Sequence, residues 1–175
     1  VYNEEKFLAE SIASVFAQTC DEYEAVLVDD GSTDKSGAIC DQYGAMYPGK
    51  VTVKHQRHQG GLIAMRTALA AANGEFIVWL DADDLLAPDT LETIKRTIQN
   101  HDCDMVIYNL TRISLAASQK VYRLPFCNET VFVGDDKMKL YRILLCENTL
   151  NSMCMKAHRR SDSDVNVDYT IYKHV

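Results

Sequence analysis

The chain has 175 residues, with 18 Lys plus Arg against 25 Asp plus Glu and a formal charge of −7. That length suits one domain, and 47% hydrophobic with 25% charged residues is a globular composition, which argues against a disordered segment or a disulfide miniprotein. The acidic balance argues against a general nucleic-acid binder, and no apolar run reaches the roughly 18 residues needed to span a bilayer.

From Glu4 to Gln18 the apolar residues Phe7, Leu8, Ile12, Val15 and Phe16 recur at helical spacing, with Asn3 as the expected N-cap. Glu24 to Asp30 is a short apolar run ending in acids and reads as a buried strand. Thr33 and Asp34 are placed to cap the helix that follows, Ser36 to Tyr47, which Pro48-Gly49 stops. Val51 to His55 is a second strand. The alanine-rich segment Leu62 to Ala72 is a helix after Gly60-Gly61, closed by Asn73-Gly74. Phe76 to Leu80 is the most apolar strand and runs into Asp81-Ala82-Asp83-Asp84. Pro88 and Asp89 open a helix with Leu91, Ile94 and Ile98 as its buried stripe, and Met105 to Leu110 is a further strand. Alternating helices and strands imply a mainly parallel sheet with helices on both faces, whose ligands sit at the carboxyl ends of strands. Later, Lys120 to Leu124 and Thr130 to Val133 read as strands of a smaller antiparallel piece, Gly134-Asp135 opens a helix, and Ser161 to Val175 has no clear period.

Six cysteines are scattered with no C-x-x-C pair, which points to reduced thiols rather than a zinc or thioredoxin-type site. His55, His58, His101, His158 and His174 form no i, i+4 pair of the zinc-protease kind, and Trp79, inside the strongest strand, reads as a core residue. Two strands finish in carboxylates: Asp29-Asp30 and Asp81-Asp83-Asp84. On one edge of a parallel sheet, up to five acids converge on a crevice. Each like-charged pair costs about 4 kcal/mol at about 4 Å and an effective dielectric near about 20, so a cation is expected among them. A hard divalent ion is the simplest candidate; Mg²⁺, for one, takes one or two protein carboxylates and fills its shell with water and substrate phosphates.

With these blocks in view, the sequence resembles the nucleotide-sugar-dependent glycosyltransferases of family 2. The resemblance is carried by Val1-Tyr2-Asn3-Glu4-Glu5, Ser14-Val15 through Gln18-Thr19, Val28-Asp29-Asp30-Gly31-Ser32-Thr33-Asp34-Lys35-Ser36, Gly60-Gly61-Leu62, Arg66, Asn73-Gly74-Glu75-Phe76-Ile77 and Leu80-Asp81-Ala82-Asp83-Asp84. It covers roughly the first 110 residues well. It implies a three-layer α/β/α, Rossmann-like fold of the A-type, in a single domain with the nucleotide-binding part at about 1–110 and an incomplete acceptor-side part at about 111–175. The first strand and the C-terminal part are expected to lie outside this sequence.

The resemblance further implies that Tyr2, Glu4, Asp30, Arg66, Asp81, Ala82 and Asp83 bind the nucleotide. Tyr2 packs against the base and Asp30 hydrogen-bonds a uracil ring. Asp83 and Asp84 face a Mn²⁺ or Mg²⁺ ion on the diphosphate. Where relatives often carry an acid or asparagine before the glycines, this chain has Arg57-His58-Gln59. The implied reaction is inverting transfer from a UDP-sugar to a hydroxyl acceptor of a glycan or lipid-linked kind. It is expected in cell-surface polysaccharide synthesis, in the cytoplasm or at the inner face of the membrane. The base of that reaction is an aspartate in a late Glu-Asp-type motif. Asp135-Asp136 reads as a helix start and Glu147, Asp162, Asp164 and Asp168 stand alone, so the base is expected beyond Val175. The rival readings are a phosphorelay receiver or another Mg²⁺-dependent phosphotransfer domain using the strand-end aspartates, a haloacid-dehalogenase-like phosphatase, and a binding module without catalysis.

Overall fold

The computed structural model describes residues 1–113, 119–122, 130–133 and 156–163. In chain order the elements are α1 (Leu8–Phe16), β1 (Ala25–Asp29), α2 (Ser36–Met46), β2 (Val51–His55), α3 (Gly61–Ala71), β3 (Phe76–Val78), α4 (Thr90–His101), β4 (Met105–Ile107), β5 (Leu110–Ile113), β6 (Gln119–Tyr122) and β7 (Lys156–Arg159), followed by a 3₁₀ turn at Arg160–Asp162.

β1 and β2 pair in parallel, Ala25 opposite Val51 through Asp29 opposite His55. Alternation sends successive side chains to opposite faces. Leu27 and Val53 pack on one face against Leu8, Ile12 and Cys40, the buried core of α1 and α2. Asp30 and Lys54 go to the other face, where α3 lies. Burying Leu8 and Ile12, which are 1% and 3% exposed, contributes about 1.5–3 kcal/mol each. Val1 lies beside the end of β1 in the pattern of a parallel ladder: its amino group donates to Val28 O at 2.8 Å and its carbonyl accepts from Asp30 N at 2.9 Å.

In the second sheet the described strands pair antiparallel, the exception within an order expected to be mainly parallel. β7 lies between β3 and β4 and runs antiparallel to both. Arg159 secures it at its end, donating Nε to Asp104 at 3.0 Å, pairing with Glu75 and lying over the Phe76 ring. Trp79, expected as plain core, is half-buried and donates its indole N–H to Nε2 of buried His158 at 3.0 Å. β5 and β6 form an antiparallel pair, in line with the smaller antiparallel piece. Thr130 to Val133 is not a strand, and the helix expected from Gly134 lies outside the described residues.

Two helix starts also differ from expectation. α1 begins at Leu8, not at Glu4, and Asn3 adopts a left-handed φ of 55° instead of capping it. Segments 3–5 and 32–36 lace together: Asn3 N donates to Ser32 Oγ, Thr33 N to Asn3 Oδ1, Glu4 N to Ser36 Oγ, Glu5 N to Asp34 Oδ2 and Lys35 N to Glu5 Oε2, all at 2.8–3.0 Å. These side-chain bonds compete with helix extension and win, because they satisfy both segments at once. Asp89 sits at the N-cap of α4 but makes no capping bond.

Candidate functional site

The two sets of strand-end acids have separate fates. Asp29 and Asp30 are both buried, at 6% and 2% exposure, and point to opposite faces. Asp29 faces α2, where it accepts from Ser32 N at 3.0 Å and pairs with His55 Nδ1 at 3.0 Å. It therefore does not join an acid crevice, contrary to the five-acid convergence expected from strand order. Burial pushes its pKa up, but the bonds from Ser32 and His55 outweigh that and the net shift is downward. His55 also pairs with Asp41 at 2.9 Å, and its pKa is raised by these two carboxylates.

Asp30 is the hub of the loop between β2 and α3. Its Oδ1 accepts from Gln56 Nε2 at 2.6 Å and Gln59 N at 3.0 Å; its Oδ2 accepts from Gly60 N at 2.8 Å and pairs with His58 Nδ1 at 2.9 Å. Amide groups at a helix start can receive an anion, and those beside Gly60-Gly61 are given in part to the protein's own carboxylate at the positive end of α3. Burial raises the pKa of Asp30, but these donors reverse it to a net decrease. Two glycines make the geometry accessible. Gly60 has φ +92°, and Gly31 has φ +72° with space so tight that a Cβ would lie 2.7 Å from His58 N. Tyr2, 42% exposed, stacks on the His58 ring with centroids 4.0 Å apart and planes at 22°.

The acids after β3 stand in a turn, not in an extended strand. β3 ends at Val78, and Asp84 N donates to Asp81 O at 3.1 Å. In an extended chain alternation would place Asp84 opposite Asp81 and Asp83, and in this turn that alternation does not apply. Asp81 and Asp83 are exposed and Asp84 is half-buried. Burial, then the charges of Asp83 and Asp81, push the pKa of Asp84 up. Among the described residues none of these three carboxylates has a side-chain or backbone donor. Among the same residues no three His, Cys, Asp or Glu side chains form a complete metal cage. A hard divalent ion that takes one or two carboxylates and completes its shell with phosphate oxygens and water still fits free, mutually repelling acids such as Asp83 and Asp84.

What sequence reasoning missed is the support beneath this turn. Ser11 and Ser14 occupy one face of α1 at i and i+3, and Gln18 follows just past the C-cap Ala17. Ser11 Oγ donates to Asp81 O at 3.3 Å, Ser14 Oγ accepts from Leu86 N at 3.1 Å, and Gln18 both donates to Ala87 O at 2.7 Å and accepts from Leu91 N at 3.0 Å. The visible signal was a polar stripe beside the apolar stripe of an amphipathic helix. Glu24 is a second unforeseen anchor: its carboxylate accepts from Asn73 N and Gly74 N, the latter at 2.8 Å, and fixes the turn into β3.

The remaining expected site residues are more dispersed. Ala82 packs against the α1–α2 core. Glu4 is half-buried, with its amide on Ser36 Oγ and its carbonyl accepting from Leu8 N. Arg66 is exposed on α3 and lines a cleft of about 550 Å³ with Lys54, Gln59, Ile63 and Thr67. It forms no ion pair with a described residue.

The sequence pattern of Glycosyl transferase family 2 matches residues 1–164. The chain belongs to that family. GlyG, a glycosyltransferase of Streptococcus pneumoniae serotype 4, is 40% identical over 110 residues, covering 62% of this chain and 36% of GlyG. Among solved structures, S. aureus TarS in complex with UDP superposes with a TM-score of 0.57 at 31% identity, over 62% of this chain and 32% of TarS. The mannosyltransferase PcManGT from Pyrobaculum calidifontis, in complex with GDP-Man and Mn²⁺, gives 0.57 at 29% identity over 64% of this chain and 34% of that one. The chain spans about a third of the length of these relatives. Its fold is the A-type glycosyltransferase fold, with a parallel β1–β2 pair and helices on both faces. The receiver-like phosphotransfer reading gains no support from these family relations. No described helix is long and apolar enough to cross a membrane.

Proposed function

We propose that this family 2 chain binds a nucleoside diphosphate sugar between the ends of β1 and β3, with the base at Tyr2 and Asp30 and the diphosphate at the 81–84 turn. One observation carries the reading. Glu24, Asp29 and Asp30 each accept two or more hydrogen bonds from protein donors, whereas Asp81, Asp83 and Asp84 keep theirs free among the described residues. A protein that satisfies the buried acids at the end of β1 and leaves three repelling ones open at the end of β3 is shaped for a cationic occupant.

Asp83 and Asp84 would hold Mn²⁺ or Mg²⁺, which supplies charge neutralisation for the leaving diphosphate. Ser11, Ser14 and Gln18 hold the turn still, so that the acids meet the ion without reorganisation. Asp30 is held ionised and acceptor-only, so the base that meets it must present an N–H there; uracil and guanine offer a ring N–H, whereas cytosine offers only its exocyclic amino group, at a different position on the base edge. The complexes of TarS with UDP and of PcManGT with GDP-Man and Mn²⁺ support this reading. Transfer is read as inverting and directed to a hydroxyl acceptor of a cell-surface glycan. Residues 1–110 form the nucleotide part and 111–175 belong to the acceptor side. None of the described residues is assigned as the base.

The test is calorimetric titration with UDP and CDP, in Mn²⁺ and in EDTA. UDP binding that requires the metal and exceeds CDP binding is expected. Equal binding of both nucleotides, or indifference to Mn²⁺, would overturn the assignment.

A further inference from the structure

We propose that His58 is a displaceable internal substitute for the nucleobase, which occupies the Tyr2–Asp30 position until a nucleotide swings it out. The inference rests on the reading above, that the base binds at Tyr2 and Asp30. A base bound there must do two things: lay a flat ring against Tyr2 and donate an N–H to the Asp30 carboxylate. His58 does both. Its ring stacks on Tyr2 at 4.0 Å between centroids, which leaves no slot for another ring between them. Its Nδ1 lies 2.9 Å from Asp30 Oδ2 and 3.2 Å from Asp30 O. Both of these atoms are acceptors, so Nδ1 carries the proton and donates, as the ring N–H of uracil would.

The carboxylate of Asp30 has no further room. A carboxylate offers about four acceptor positions, and Gln56, Gln59, Gly60 and His58 fill them. A base can therefore reach Asp30 only by expelling one of these donors. Two of them are backbone amides at the start of α3. Gln56 is half-buried and clamped by Thr67 Oγ1, which donates to its Oε1 at 2.7 Å. His58 alone is a side chain with freedom to leave, since 52% of it is exposed. Displacement costs no net hydrogen bond at Asp30, because the incoming ring N–H takes the place of Nδ1–H, and the stack on Tyr2 is re-formed with the base. The histidine state lowers apparent nucleotide affinity by the fraction of molecules in which the site is free.

The experiment titrates the parent chain and His58→Ala with UDP and with inorganic pyrophosphate, both in Mg²⁺. A competitor of the base alone should weaken UDP and leave pyrophosphate unaffected. His58→Ala is expected to bind UDP several-fold more tightly, with pyrophosphate affinity unchanged. Equal or weaker UDP binding by His58→Ala would place His58 beside the base, as part of its platform, and overturn the proposal. A measurement on the parent chain needs no variant to fold: nuclear Overhauser contacts between the Tyr2 and His58 rings should vanish at saturating UDP, and their persistence would also overturn it. If the parent binds UDP no better than pyrophosphate, the base site itself is wrongly placed; that result differs from a failure of the displacement step alone, in which UDP retains its advantage over pyrophosphate and His58→Ala brings no gain.

Discussion

The acids at the end of β1 and those at the end of β3 look alike in sequence and behave oppositely in the fold. Asp29 and Asp30 are buried and receive donors from segments 26 to 30 residues away. Asp81, Asp83 and Asp84 lie in a turn whose backbone is held by α1 while their carboxylates stay open among the described residues. The first set therefore spends its charge on holding the loops around it, and the second leaves its charge open, as the proposed metal and diphosphate site requires. Burial and donor supply, not residue type, separate a structural carboxylate from one available for chemistry.

That contrast makes its sharpest prediction at Asp30. Asp30→Ala removes a buried carboxylate shared by four donors and should destabilise the chain by about 3 kcal/mol or more, read from urea unfolding. Asp83→Ala should stay within about 0.5 kcal/mol of the parent. Comparable losses at both positions would break the comparison. Next in size, Asp83→Asn should weaken UDP binding in Mn²⁺ by about tenfold, or about 1.4 kcal/mol, and change it little in EDTA; calorimetry under both conditions decides this.

Gln18→Ala probes the support under the acid turn. Loss of its bonds to Ala87 and Leu91 should cost about 1 kcal/mol of stability and lower UDP·Mn²⁺ affinity through a looser turn. Stability loss with unchanged affinity would show that α1 braces the fold without tuning the site.

The smallest effect concerns His55. Its pKa is raised by Asp29 and Asp41, so its pairing contributes stability that is fully present below about pH 6.5 and fades as pH rises through the raised folded value. Asp29, shifted down, acts in the opposite sense and loses its contribution only as acid carries the pH down through its lowered value. His55→Gln should thus differ most from the parent near pH 6 and least in alkali, by at most about 1 kcal/mol because the pair is half-exposed. Unfolding curves across that range would show a flat difference if His55 were merely packed there.

Local pattern accounts for much of what was legible in advance. The apolar spacing in Leu8, Ile12 and Phe16 marks α1, and the run before Asp29 marks β1, because period and propensity are properties of a few neighbouring residues. The position of the acids after strands, and with it the family likeness, is likewise written in short blocks. Tertiary structure alone decided the rest. It placed β7 between β3 and β4, paired Asp29 with His55, set Ser11, Ser14 and Gln18 beneath the acid turn, and laid His58 on Tyr2. Each of these depends on a partner some 25 to 80 residues distant, and hydrogen-bond donors and ring contacts at such separations leave no periodic trace in the chain that supplies them.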